Sequence, residues 1–275
     1  MFENEQENTL KPDFDDIFLL KCLRSRLFDY ENAYDLIKNY NKLHVSSCHL
    51  FVAPHNFNPV FDENVLTVLP KKTDCDETIL LIEVGRWNCL KYDFDVFLSA
   101  LISTVELLST DVVSQICGII AILDMSHFNW TQLKSFSPIQ AKKLAHIIEE
   151  ALPFRLKAVH VVNDSLLTYI AYSLLKPFLT QELRSRIEFH KNNLQSIHRM
   201  IPQQYLPSEI GGNLPFDCNS WFQCLLSAED ELIKYWKFFG SHLYVDNNNV
   251  DANLDNNQSL LNTLSCRSYV PSFYK

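Results

Sequence analysis

The chain has 275 residues, 47% of them hydrophobic, and a formal net charge of −9, which is enough length and apolar content for one or two packed domains. Only five glycines occur and none are spaced as Gly-x-Gly, which excludes the glycine-rich loops that bind dinucleotides and phosphates. The longest apolar run, residues 116–123, is far shorter than the roughly 20 residues of a membrane-spanning helix. The acidic N-terminus is unlike a targeting peptide, so we expect a cytoplasmic protein.

Two amphipathic helices are predicted over residues 13–43, after an N-terminal stretch (1–12) that we expect to be disordered. Ile17, Leu20 and Leu23 form the apolar face of the first helix, and Asp29 is placed to cap the second. A further short helix is predicted over 62–69. We interpret residues 13–70 as a small helical bundle and its connection to the next domain.

Strands and helices alternate through residues 71–240. Apolar, β-branched runs predict strands over 78–84, 116–123, 156–162 and 186–190. Helical periodicity predicts helices over 94–108, 138–151, 164–179 and 193–201. This alternation predicts an α/β domain with a mainly parallel sheet covered by helices. A last helix is predicted over 220–239, and the asparagine-rich tail (241–275) has a composition typical of disorder.

Catalytic and metal-binding motifs are missing from the sequence. It contains no Gly-x-Ser-x-Gly, no His-Glu-x-x-His and no Cys-x-x-Cys, and we interpret the eight cysteines as buried free thiols. Asp124 and His127 follow a strand end, and His160 interrupts a buried strand. A turn-capping aspartate and a hydrogen-bonded core histidine explain them without catalysis. We predict no enzyme activity, no metal and no cofactor, with a hydrolase as a lesser alternative.

Charge is unevenly distributed along the chain. Residues 134–199 contain ten Lys/Arg and five Asp/Glu, a local net charge of +5 in an acidic protein. A general nucleic-acid binder is usually basic overall. We therefore expect no nucleic-acid partner, and the basic segment indicates either one anionic surface partner or an ordinary solvated face.

The predicted helix 164–179 is apolar nearly all round, with no charge between Asp164 and Lys176. Such a helix must be buried, lie against a membrane or close over an apolar cavity. Residues 128–136 add a second aromatic segment near the sheet. A thick core and a ligand cavity are both compatible with this pattern.

Several short motifs follow one another in a fixed order over about residues 15–240. They are Phe18-Leu19-Leu20-Lys21-Cys22-Leu23-Arg24-Ser25-Arg26, Gly85-Arg86-Trp87, Asp124, Pro153 with Arg155, Asn163, Lys176-Pro177-Phe178-Leu179, Arg186-Ile187 with His190, and Leu206-Pro207 with Gly211-Gly212. In these motifs and their order the sequence resembles the CRAL-TRIO lipid-binding family, in particular its branch of tocopherol-transfer, retinaldehyde-binding and clavesin proteins.

This resemblance implies a CRAL-TRIO lipid-binding domain, preceded by the helical bundle, in which the sheet floors a hydrophobic cavity beneath a mobile gate helix (164–179). It implies non-enzymatic binding and transfer of a small hydrophobic lipid, such as a retinoid or tocopherol, exchanged at phosphoinositide-containing membranes. We expect a monomer that associates transiently with anionic membranes. The alternative is a scaffold of the same fold in membrane trafficking or GTPase regulation, with no transported ligand.

The resemblance and the apolar pattern together give two sets of candidate residues. Those expected at the pocket or gate are Phe128, Trp130, Leu133, Phe136, His160, Leu167, Tyr169, Ile170, Tyr172, Ser173, Leu174, Leu175 and Phe178. Those expected to contact an anionic head group or membrane are Lys176, Arg184, Arg186, Lys191 and Arg199. Glu182 stands where the tocopherol-transfer pattern has a lysine.

Overall fold

The computed structural model describes residues 15–242 and begins with two helices, α1 (Asp16–Ser25) and α2 (Tyr30–Ser46). An aspartate caps each of them, because Asp15 and Asp29 accept backbone N–H groups of the first turn at 3.2 and 3.1 Å. This confirms the predicted helix pair. The stretches predicted to be disordered lie outside the described residues, apart from 241 and 242, which end the last helix.

A five-stranded sheet forms the centre of the α/β part. The strands follow chain order across the sheet, with the first antiparallel to the second and all other neighbours parallel. They are β1 (Leu66–Val68), β2 (Thr78–Glu83), β3 (Ile119–Asp124), β4 (Leu156–Val162) and β5 (Ile187–Phe189). The predicted α/β class with a mainly parallel sheet is confirmed.

Within residues 15–242, ten further α-helices surround the sheet. They are α3 (Asn58–Asp62), α4 (Phe94–Leu108), α5 (Val112–Cys117), α6 (Trp130–Ser135), α7 (Pro138–His146), α8 (Leu166–Leu175), α9 (Gln181–Ser185), α10 (Leu194–Met200), α11 (Asn219–Ser227) and α12 (Glu229–His242). None of the helices within residues 15–242 is long and apolar enough to cross a membrane.

Alternation along the strands gives the sheet two apolar faces. Leu80, Ala121 and Val159 lie side by side in the register of β2, β3 and β4 and point to the same face. Ile120, one position along, packs instead with Ile197 of α10 on the opposite face. Each face therefore has its own apolar layer, and only the first is relevant to ligand binding.

The helix predicted over 62–69 is wrong, because α3 ends at Asp62 and the following residues form β1. Leu66 pairs with Ile82 and Val68 with Leu80 across an antiparallel ladder. A strand of three residues is too short to show a period in the sequence. Its extended backbone is stabilised by pairing with a strand ten residues further along the chain, which local periodicity does not reveal.

Two other predicted elements need correction. The strand predicted over 116–123 begins only at Ile119, because Asp111 caps α5 by accepting the N–H groups of Val113 and Ser114. Gly118, with a φ of 90°, then separates that helix from β3. The helix predicted over 220–239 is divided into α11 and α12.

The prediction that the cysteines are buried also needs correction, because Cys48 and Cys75 are exposed.

Candidate functional site: an apolar cavity between the sheet and helix α8

A cavity of about 220 Å³ lies on the face of the sheet opposite α10. This is on the order of fifteen times the space that one water molecule requires. Residues of β2 to β5 form the floor, and α4, α8 and the segments beside them form the walls and cover. The floor residues are Leu80, Ile82, Ala121, Leu123, Val159, Val161, Ile187 and Phe189, and the residues contributed by α4 are Phe94, Phe97, Leu101 and Val105.

Helix α8 covers the cavity with a regular stripe of its residues. Thr168, Ala171, Tyr172 and Leu175 line the cavity, and their spacing of three, four and seven residues places them on one face of a helix. The opposite face is exposed although it is also apolar, since 74% of the surface of Leu166 is accessible. A helix that is apolar on both faces therefore separates the cavity from solvent.

Two tyrosines hold α8 against the edge of the sheet. The ring of Tyr169 stacks on Phe189 of β5 with 5.1 Å between centroids, and Tyr172 meets the same ring edge-on at 5.2 Å. Such aromatic pairs contribute about 0.5–1.5 kcal/mol each beyond their buried area. These contacts fix the rotation of α8, which the uniformly apolar sequence leaves open.

Four of the residues predicted for the pocket or gate line the cavity, namely Phe128, Phe136, Tyr172 and Leu175. The others do not line it, for three reasons: they lie on other sides of α8 or just after it, they are exposed at the start of α6, or they are buried outside the cavity. Leu167, Tyr169, Ile170, Ser173, Leu174 and the following Phe178 belong to the first group, Trp130 to the second, and Leu133 and His160 to the third.

The sequence reasoning missed Thr168 and Ala171 on α8, Leu179 and Leu183 after it, and the floor residues of the strands. The strand positions carry a signal, because alternate residues of a strand share a face. Once Val159 and Val161 are assigned to the cavity face, the residues that pair with them on β3 and β5 can be assigned to the same face. The sequence contains nothing that distinguishes a residue beside a void from one in a solid core.

His160 lies on the sheet face away from the cavity, where it pairs with a second histidine. Its Nδ1 lies 2.9 Å from Nε2 of His190, whose own Nδ1 lies 2.8 Å from the Ser196 hydroxyl. Burial lowers the pKa of both histidines, which favours neutral rings that hydrogen-bond to one another. Side-chain atoms of His160, Glu188 and His190 that could ligate a metal lie within 4.8 Å of one another. The hydrogen bond between the two histidine rings already occupies the nitrogens that face each other.

Asp124, the last residue of β3, forms hydrogen bonds with residues that follow β3 and β4. Its Oδ1 accepts the Ser126 N–H at 2.8 Å and the Asn163 side-chain amide at 2.9 Å, which is the turn-capping role that the sequence indicated. Gly85 also lies against this turn, where a Cβ atom would come within 1.7 Å of the Ser126 carbonyl oxygen. His127 is exposed. These residues stabilise the turn after β3.

The five predicted cationic residues differ in their surroundings. Lys176, Lys191 and Arg199 are exposed, and Arg184 and Arg186 are half-buried. Arg186 donates from Nη1 to the Leu156 carbonyl oxygen at 2.6 Å and from Nη2 to Glu182. Its guanidinium group therefore stabilises the edge of the sheet. Glu182, which stands where the family pattern has a lysine, partly compensates its charge.

Residues 62–212, which include the whole sheet and the cavity floor, match the model of the CRAL/TRIO domain. The chain belongs to the CRAL/TRIO family. Among curated relatives, the human alpha-tocopherol transfer protein-like is 32% identical over 237 residues, covering 85% of this chain and 69% of the relative. Clavesin-1 from Rattus norvegicus is 32% identical over 220 residues, covering 78% and 62%.

The predicted family branch is confirmed by these two relatives. The matched CRAL/TRIO region begins at residue 62, before β1, and ends at the second glycine of the Gly211-Gly212 pair. Among solved structures, that of Sfh5 aligns over 80% of this chain and 81% of its own, with 12% identity and a TM-score of 0.44. The CRAL/TRIO helix α8 and the cavity below it both lie inside the matched region.

Proposed function

We propose that this chain binds one small hydrophobic lipid, such as a retinoid or tocopherol, in the cavity and transfers it between membranes as a monomer, without changing it chemically. The observation that carries the proposal is the apolar cavity between the sheet and α8. The names of the relatives support it, since one is called alpha-tocopherol transfer protein-like. The proposed pocket is formed by Phe128, Phe136, Tyr172 and Leu175 with the floor of the sheet.

Hydrophobic burial explains why a carrier is needed. Removing a chain of sixteen methylenes from water is worth roughly 13 kcal/mol, at about 0.8 kcal/mol for each methylene. Release into water is therefore negligible. Exchange between a bilayer and an apolar cavity changes the surroundings of the lipid little, so loading and unloading are expected at a membrane.

We assign the role of gate to α8. Its inner stripe covers the cavity, and its outer face presents Leu166 to solvent, with exposed Phe178 just beyond its end. Opening would break the contacts of Tyr169 and Tyr172 with Phe189 and place the outer apolar residues in the membrane interface. The membrane would then compensate for the lost contacts, which makes opening favourable at a bilayer and unfavourable in water.

Exposed cations of the predicted set would guide docking to an anionic leaflet. Lys176 follows α8 directly, and Lys191 and Arg199 are also exposed. A lysine or arginine close to an anionic membrane surface contributes about 1 kcal/mol. The membranes concerned would include phosphoinositide-containing ones, although Glu182 reduces the positive charge of the segment that follows the gate.

A vesicle assay tests the proposal. All-trans-retinol is loaded into donor vesicles that contain a quencher, and its fluorescence is followed as it moves to acceptor vesicles with or without phosphatidylserine or a phosphoinositide. The protein should accelerate transfer, and more so to anionic acceptors. If the chain neither accelerates transfer nor binds retinol, α-tocopherol or any other hydrophobic probe, the scaffold alternative replaces this proposal.

A further inference from the structure

Three side chains that can ligate a metal lie together on the sheet face away from the cavity. His160 of β4 pairs with Glu188 of β5 in the register of the two parallel strands. His190 follows two residues after Glu188, and its N–H continues the ladder by donating to the Val161 carbonyl oxygen at 2.8 Å. Because alternate residues of a strand share a face, all three side chains point to the same side. Phe189 points to the other side, where it contacts α8.

The potential ligand atoms of these side chains converge. Nδ1 of His160 lies 2.9 Å from Nε2 of His190 and 3.9 Å from Oε2 of Glu188, and the three atoms lie within 4.8 Å of one another. Atoms bound to a tetrahedral zinc ion at about 2.0–2.1 Å are about 3.3 Å apart, so the two rings need to separate by only about 0.4 Å. The carboxylate needs to approach, and its side chain is half-exposed and has room to do so.

The hydrogen bond between the two rings is compatible with a metal site, because a metal ion can replace its proton. A neutral imidazole has one protonated and one unprotonated nitrogen. When a metal binds, the ring that donates the shared proton carries it on its other nitrogen instead. Both facing nitrogens then offer a lone pair, and no proton is lost from either ring.

Ser196 of α10 supports this arrangement from outside. Its hydroxyl lies 2.8 Å from Nδ1 of His190, and a hydroxyl can donate to that nitrogen or accept from it. The same contact therefore serves either protonation of the ring. A hydrogen bond to the nitrogen remote from the metal is the usual means by which proteins orient a ligating histidine.

Burial and charge around the cluster also favour a cation. His160 and His190 are each 3% exposed, whereas the Glu188 side chain is 49% exposed, so the carboxylate lies between two buried rings and solvent. The negative charges of Glu77 and Asp164 act on the rings together with that of Glu188. A divalent ion would bring positive charge to a place where three carboxylates compensate it.

We propose that His160, Glu188 and His190 form a binding site for one zinc ion or a similar divalent transition metal. Two imidazoles and one carboxylate are ligands that zinc accepts, and three protein ligands leave a fourth position for water. Magnesium and calcium prefer oxygen ligands and are excluded by the two nitrogens. A motif search does not detect this site, because its histidines are thirty residues apart and meet only in the fold. The site does not depend on the proposed function, since the cavity lies across the sheet.

Metal titration of the untagged full chain, first freed of metal with EDTA, tests the site. Isothermal titration calorimetry should show one zinc ion bound per chain with micromolar affinity or better, and calcium should not compete. Cobalt(II) should give the visible absorption of a four-coordinate ion without the near-ultraviolet band of thiolate ligands. Failure to bind zinc, or a cobalt spectrum with thiolate ligands, overturns the proposal.

Glu188→Gln locates the bound ion, since it removes the charged ligand and leaves both buried rings in place. It should lower zinc affinity at least about tenfold, because loss of a residue that merely orients a ligand already costs about 10- to 100-fold. Glu150→Gln is the matched control. Glu150 also contacts a histidine, with Oε2 2.8 Å from Nδ1 of His146, but that pair belongs to no group of three ligands among the described residues. An equal effect of both substitutions, or none from Glu188→Gln, overturns the assignment.

Discussion

Nζ of Lys21 on α1 lies 3.1 Å from Oε2 of Glu106 on α4, and both side chains are buried. Burial by itself lowers the pKa of Lys21, but attraction to Glu106 and Tyr235 outweighs it and raises the pKa. The lysine is therefore charged in the folded protein. This ion pair connects the N-terminal helices to the α/β part, in which α4 forms a wall of the cavity.

Replacing Lys21 by methionine should lower the free energy of unfolding by about 3–5 kcal/mol, because it leaves the carboxylate of Glu106 buried without its cation. The double variant Lys21→Met/Glu106→Leu should recover most of this loss. Urea denaturation measures both. Lys38→Met is the matched control, since Lys38 pairs with Asp35 in an exposed position. A loss below 1 kcal/mol for Lys21→Met would contradict the prediction.

Acid should destabilise the protein through His44, because burial and repulsion from Lys21 lower the pKa of that histidine to about 3. In the unfolded chain its pKa is about 6.5. Below pH 6.5 the unfolded state therefore binds a proton that the folded state does not, and stability falls as the pH decreases towards 3.

Protonation of His44 in the unfolded chain should lower the free energy of unfolding by about 2 kcal/mol between pH 7 and pH 5. His44→Phe, which preserves stacking on the Phe51 ring at 3.7 Å, should remove this share of the pH dependence. Urea denaturation at several pH values measures it, and the same substitution at exposed His49 controls for loss of a surface imidazole. Parallel curves for wild type and His44→Phe would contradict the assignment.

Filling the cavity should abolish binding without unfolding the protein. Ala121→Phe places a ring in the floor of the cavity. Affinity for the hydrophobic fluorescent probe diphenylhexatriene should therefore fall at least about tenfold, while the free energy of unfolding stays within about 1 kcal/mol of wild type. Ala100→Phe is the control, because Ala100 is buried in α4 away from the cavity. Overpacking there should cost about 1–3 kcal/mol or more. Similar destabilisation by both variants would indicate a solid core beneath α8.

Charge reversal near the gate should weaken membrane binding. Lys176→Glu/Lys191→Glu removes two exposed cations, one directly after α8 and one beside its first turn, each worth about 1 kcal/mol near an anionic surface. Partitioning to phosphatidylserine vesicles should therefore fall at least about 25-fold. Lys42→Glu/Lys234→Glu reverses two exposed lysines on α2 and α12 and should have a smaller effect. Equal losses would remove the docking role from Lys176 and Lys191. Arg186 is unsuitable for this test because it holds the Leu156 carbonyl.

Local sequence patterns predicted most regular elements of this fold. The apolar stripe of α4 gave the bounds of that helix, which Asp93 caps in the structure, and the β-branched runs gave β2 and β4. β1 was missed because three residues carry no period, and its structure depends on pairing with β2. The elements were thus predictable where the stabilising interactions are local.

The cavity was harder to predict from the sequence than the helices and strands. Ala121 and Val159 have the same apolar character whether they line a void or pack in a solid core. The rotation of α8 was also undetermined, since a helix apolar on every side has no preferred face. It is set by contacts of Tyr169 and Tyr172 with Phe189, which link positions some twenty residues apart. Tertiary contacts therefore decided which of the predicted pocket residues line the cavity.

Mass spectrometry of the full chain, purified without detergent from eukaryotic cells, is the most direct test of lipid carriage. Native spectra should show one added molecule per chain, and organic extracts should identify it as a hydrophobic lipid that the Ala121→Phe variant does not retain. A chain that carries no lipid in native spectra, yields none on extraction and takes none up from vesicles would contradict the account.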